Sequence, residues 1–124
     1  MRLPAIAALA LVLLTPNLAA SQETLSAAPM SWHGAPMGPE QVFEGDYAID
    51  YQTSQFRPDG GTADALWLAG WEDRPGDNGA LGRRYHLRFV GRQTVDPGKY
   101  GGLGAYKHTV LITRLLSARL LIGN

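Results

Sequence analysis

Most of the residues that could do chemistry fall in two short stretches. The first is Pro97 to Tyr106, where Gly98, Gly101, Gly102 and Gly104 alternate with Lys99, Tyr100 and Tyr106. Glycine amides unshielded by side chains, with a cation beside them, can cradle an anion, and a tyrosine ring can stack on a sugar or a base. The competing reading is geometric: glycine supplies a bulge or corner in a β protein, and tyrosine packs it. Gly98 to Gly101 and Gly101 to Gly104 each match Gly-x-x-G. The RNA-binding version of that loop joins two helices, which the pattern here lacks. A phosphate-binding P-loop needs Lys followed by Ser or Thr after its last glycine, and none is present. The second stretch is Arg84, His86 and Arg88, one face of an alternating segment. This basic stripe can meet phosphate, carboxylate or anionic lipid head groups. It equally suits the wet side of a half-buried strand.

Other reaction machinery is thin. The chain has no cysteine and no Gly-x-Ser-x-Gly. Glu44, Asp46 and Asp50 offer carboxylates, and Asp46 and Asp50 share strand parity, so a small hydrolase using them or His86 is one alternative. Charges on the outer face of a first strand need no such role. His33, His86 and His108 stand far apart, with no pair at ligand spacing. Asp73, Asp77 and Asn78 offer oxygen ligands, but their order lacks the terminal Glu of a calcium loop, and turn formation accounts for them. No catalytic residue, metal or cofactor is assigned at this level.

The elements that must hold these residues are legible from periodicity. Arg2, the apolar run Ala5 to Leu14 and the small residues Leu18-Ala19-Ala20 form a three-part export signal over residues 1–20, with cleavage expected near Ala20. The run is shorter than the roughly 20 apolar residues that span a bilayer. No transmembrane segment is expected after signal cleavage, and the expected destination is the periplasm or the exterior. Residues 21–42 are rich in Ala, Pro, Met, Gly and Ser and follow no period, so they read as a flexible arm, with Trp32 and His33 as its potential pins.

Residues 43–124 read as one β domain. Tyr47, Ile49 and Tyr51 alternate with Ala48 and Asp50, and Phe56 to Gly61 closes that strand with a Pro-Asp-Gly turn. Ala65 to Trp71 is apolar on both faces, with Trp67 and Trp71 expected in the core. In Arg84 to Gly91, Tyr85, Leu87 and Phe89 point inward. Tyr106 to Leu116 is β-branched, with Val110 and Ile112 on one face, and Leu115 to Ile122 continues it as strand in preference to helix. The fifteen glycines, all beyond the export signal, fit turns and bulges. About five strands in one open layer would leave long edges, so the expected fold is all-β: a small antiparallel, partly open barrel of the OB type. A lone sheet covered by the arm is the alternative.

At the glycine-rich loop the chain resembles a known group. Tyr85-His86-Leu87-Arg88-Phe89-Val90-Gly91-Arg92, then Pro97 to Tyr106, then Val110, Ile112 and Leu115 to Arg119 are similar to small exported bacterial proteins of uncharacterised function. In them a strand ending in Gly-Arg leads to Pro-Gly-x-Tyr-Gly-His-x-Gly-x-Tyr and a final strand. Trp67-Leu68-x-Gly70 is similar too, so the likeness runs from roughly Glu44 to Leu120. The resemblance implies fold and export and assigns no activity. Gly102 stands where the group often carries His.

Charge narrows the partners. Removing Arg2 with the signal leaves ten basic against eleven acidic groups. A general nucleic-acid binder carries a clear basic excess. The expectation is a non-catalytic periplasmic binding or interaction module for an anionic or glycan ligand. It would use Arg84, His86 and Arg88 with Lys99, Tyr100, Gly101, Gly102, Gly104 and Tyr106. An OB barrel binds across its second and third strands, and the stripe is expected to share that surface. A structural envelope protein pairing through the apolar Leu115 to Ile122 edge is the second reading.

Overall fold

Alternating side chains close the chain into a ring. The computed structural model describes residues 24–50, 53–61, 64–71 and 82–122. The export signal expected over residues 1–20 and the Asp73 to Asn78 loop lie outside them. In chain order the strands are β1 Met30–Trp32, β2 Ala35–Met37, β3 Gln41–Asp50, β4 Thr53–Pro58, β5 Leu66–Ala69, β6 Arg84–Gln93 and β7 Thr109–Ile122. A 3-10 turn covers Gly102–Gly104. Strands β3 to β7 make a closed barrel in the order β3-β4-β5-β7-β6, with β6 returning to β3. This is the small OB-like barrel expected from the pattern, with its ring closed where a partly open one is expected. All its seams are antiparallel except β5–β7, which is parallel.

The interior follows the period of two. Tyr47 and Ile49 of β3, Phe56 of β4, Leu66 and Leu68 of β5, Tyr85, Leu87 and Phe89 of β6, and Val110 and Ile112 of β7 form one buried cluster. Phe43, Phe56 and Phe89 meet at its centre, with ring centroids 5.1 to 6.4 Å apart. Edge-to-face and offset ring pairs of this kind add to the area they bury. A buried hydroxyl relay crosses three strands: Tyr47 Oη donates to Ser54 Oγ at 2.8 Å, and Ser54 Oγ donates to the Leu68 carbonyl at 2.8 Å.

Three features depart from the sequence reading. The first strand does not run on to Phe56. Asp50 pairs back with Thr53, and Thr53–Pro58 is a strand of its own. No Gly, Pro or Asn marks that reversal, so composition could not place it. Trp67 is not core. Leu66 and Leu68 take the inner face of β5, which leaves Trp67 half-buried outside, while Trp71 packs against Tyr47 and Tyr85. Residues 24–40 form an ordered cover: β1 and β2 make a hairpin turned at His33 and Gly34, both with positive φ as a type I′ turn requires. Trp32 and His33 pack on each other. The arm is pinned instead by Arg92, whose Nη1 donates to the carbonyls of Ala28 (2.8 Å) and Gly38 (3.1 Å). This cover leaves the outward-pointing Val90 and Arg92 as buried as the core.

Candidate binding sites

The two stretches singled out in the sequence sit on different parts of the barrel. The glycine-rich stretch belongs to the connection between β6 and β7, the fourth and fifth barrel strands. This loop is a short hairpin in its own right. Tyr100 and Tyr106 exchange both backbone hydrogen bonds (2.8 and 3.1 Å), and Gly98 N–H donates to the Lys107 carbonyl at 2.9 Å. At its root Thr94 N–H donates to the Thr109 carbonyl, Thr109 N–H donates to Thr94 Oγ1, and His108 Nδ1 lies 3.0 Å from the Thr94 carbonyl. A carbonyl only accepts, so Nδ1 carries the proton there.

The hairpin folds down onto the outer face of β4 and β5. Gly101, with φ of 72°, lies against the indole of Trp67, and a Cβ on it would collide with that ring. The Tyr106 ring meets the same indole at 5.5 Å, and Tyr106 Oη donates to Gln55 Oε1 at 3.3 Å. Gln55 and Trp67 are direct partners across the β4–β5 seam. Beside them opens a cleft of about 400 Å³ lined by Gln55, Asp64, Ala65, Ala105, Tyr106 and Lys107. Lys107 Nζ and Asp64 Oδ2 stand 3.7 Å apart at its exposed rim.

This geometry sorts the expected loop residues. Tyr106 faces the cleft. Tyr100 instead donates to the Asp96 carbonyl at 3.2 Å. Gly98 and Gly104 N–H donate within the loop, to Lys107 and Gly101, so those two amides are already used. Gly101 serves the close approach to Trp67, Gly102 and Gly104 bound the 3-10 turn, and Lys99 is exposed. Gln55 and Asp64 are not among the residues that the sequence pattern marks. A lone glutamine in a strand carries no signal of its own, and only the loop's return makes it a wall.

The basic stripe is elsewhere. Arg84, His86 and Arg88 lie on β6, not on β4–β5, because the register that fixes Tyr85, Leu87 and Phe89 inside turns them out beside β3. There His86 and Arg88 meet acids. His86 Nδ1 is 3.0 Å from Asp46 Oδ1, and Nε2 is 2.9 Å from Glu44 Oε2 and 3.5 Å from Asp59 Oδ2. Arg88 Nε reaches Glu44 Oε1 at 3.7 Å. The hydrogen bonds to Glu44 and Asp46 hold the imidazole above its ordinary pKa, because both ring N–H groups then face acceptors. The surface is therefore a mixed His–carboxylate cluster rather than a cationic track. Comparison with protein-family models, curated proteins and solved structures finds no match.

Proposed function

We propose that this is an exported, non-catalytic binding module whose cleft on the β4–β5 face takes a short, hydroxyl-rich ligand of the glycan class. One observation carries the reading: the loop between the last two strands returns onto the outer face of the second and third barrel strands, leaving a cleft beside an aromatic pair. That is the face and the loop through which OB barrels receive oligosaccharides and oligonucleotides. The volume of about 400 Å³ lies within the usual range for small-ligand sites. Tyr106 supplies an aromatic wall, Gln55 both an amide donor and an acceptor, and Asp64 an acceptor for hydroxyl groups. The one cation and one anion of the lining stand together, so the cleft offers no net charge to an anion. That favours the glycan over the anionic half of the sequence expectation. Export rests on the amino-terminal signal pattern and on the resemblance to small exported proteins.

The test is titration of the purified protein with neutral and with acidic oligosaccharides, followed by tryptophan fluorescence and calorimetry. A neutral glycan should bind at one site and change the Trp67 signal. Tyr106→Ala and Gln55→Ala should each weaken binding at least tenfold, with the fold intact by circular dichroism. Binding confined to acidic ligands, or unchanged in both variants, would remove the cleft from consideration.

A further inference from the structure

On the opposite bank of β3 the structure assigns a second site, independent of the cleft: we propose that Glu44, Asp59 and His86 bind one divalent transition-metal ion, best matched by zinc, with Asp46 as the positioning residue for the imidazole. Three separate segments converge there. Asp46 and His86 are direct partners across the β3–β6 seam. Glu44 lies two residues along β3 on the same face. Asp59 follows β4 and is fixed by its own N–H donating to the Glu44 carbonyl at 2.9 Å. Gly45 permits that convergence, since a Cβ there would lie 2.8 Å from Pro58 Cα and inside contact of the Arg57 carbonyl.

The donor atoms have the spacing of a coordination shell. His86 Nε2, Glu44 Oε2 and an Asp59 carboxylate oxygen all lie within 4.8 Å of one another. Nε2 is 2.9 Å from Glu44 Oε2 and 3.5 Å from Asp59 Oδ2. Ligands about 2.0–2.1 Å from a tetrahedral zinc stand roughly 3.3 Å from each other, so the two distances bracket that edge. Three protein donors leave the fourth position to water.

Donor chemistry selects the ion. An imidazole nitrogen with two carboxylates suits zinc and its neighbours, whereas calcium takes six to eight oxygens and magnesium keeps most of its water. Asp46 adds the outer partner that metal-bound histidines carry: its carboxylate accepts from Nδ1–H and leaves Nε2 directed at Glu44 and Asp59. Metal at Nε2 replaces the proton there, which is released to solvent. Arg88 sits on the other oxygen of Glu44, Oε1, and leaves Oε2 to the metal.

The experiment is calorimetric titration of the metal-free protein with Zn²⁺, Ca²⁺ and Mg²⁺, with nitrogen-15 spectra of the histidine rings. One Zn²⁺ per chain should bind, shift His86 Nε2 and raise the melting temperature, with Ca²⁺ and Mg²⁺ ineffective at the same concentration. His86→Ala and Asp59→Asn should each weaken zinc at least tenfold. Asp46→Asn should keep the stoichiometry, weaken binding about 10- to 100-fold and alter the Nδ1 resonance. Tyr106→Ala, in the cleft, should leave zinc binding unchanged. Zinc that shifts His33 or His108 instead, binding that survives His86→Ala, or no zinc bound by a protein of native circular dichroism would each overturn the proposal.

Discussion

At the scale of single residues, Gly101 shows how a position that reads as a ligand site serves a contact first. Its missing side chain lets the loop lie flat on Trp67, and its φ of 72° is one that side chains rarely adopt. Gly101→Ala must both strain the backbone and lift the loop off the indole. A cost of about 1–3 kcal/mol is expected from overpacking, measured by denaturant unfolding, together with a changed tryptophan emission. An unchanged emission spectrum would mean that the loop does not rest on that ring. The same scale explains what could be read at His86. The alternation of Arg84, His86 and Arg88 is visible along the strand, but the acids that answer it lie 40 and 42 residues away on β3 and 27 residues away after β4. Asp46 pairs with His86 only because the barrel's register puts them opposite. A stripe read along one strand lacks its neighbours' charges, and here those neighbours reverse its meaning.

At the scale of elements, the residue 24–40 cover depends on polar contacts more than on apolar burial. Glu40 is the acidic group at its base. Thr113 and the Ser26 N–H, with smaller help from Arg92 and Arg114, hold its carboxylate below the ordinary value. The Ser26 N–H donates to Oε1 at 2.8 Å, while the single Thr113 hydroxyl proton is shared in turn with the Val90 carbonyl at 3.1 Å. A depressed pKa means the folded state favours the charged carboxylate. That contribution is complete above the ordinary carboxylate range and is lost as pH falls through the folded value. Hydrogen exchange should therefore show the Ser26 amide protected at neutral pH and opening in acid. Glu40→Gln should lower that protection at neutral pH and flatten the acid response. Protection that ignores both the substitution and acid would mean that Arg92 and the backbone bonds of Gly38 and Val95 hold the cover without Glu40.

Strand legibility differs within the same sheet for a related reason. In β6 every second residue from Tyr85 to Phe89 is core, and the period was plain. In β7, Val110 to Ile122 spans thirteen positions against the ten of β6 from Arg84 to Gln93, with extra residues at Thr113, Leu116 and Leu121. Each insertion is a bulge that coils the strand around the ring and resets which side chains point in. Leu115 and Leu120 stand opposite the core residues Phe89 and Tyr85, yet they and Leu121 are exposed, although their composition reads as core.

At the scale of the molecule, one interior without a disulfide carries the stability. Phe89 is fully buried, and its ring meets both Phe43 and Phe56. Phe89→Ala should cost about 3–5 kcal/mol, a large share of the roughly 5–15 kcal/mol that holds a domain of this kind. Thermal unfolding should show a fall of well over 10 °C or no cooperative transition, and a small shift would mean the core does not centre on that ring.

The parallel seam has a consequence for the order in which the barrel can form. Antiparallel neighbours such as β3 and β4 can zip soon after they leave the ribosome, because little chain separates them. β7 must slot between β5 and β6, and Trp67 waits for Thr109, more than forty residues downstream, before that side of the ring has a partner. Joining such distant segments, here and at the β3–β6 seam where Gln41 pairs with Gly91, requires an entropic loss before any contact rewards it. Until it happens, β5 offers a bare apolar edge to whatever is nearby, and a holding chaperone would find its grip there.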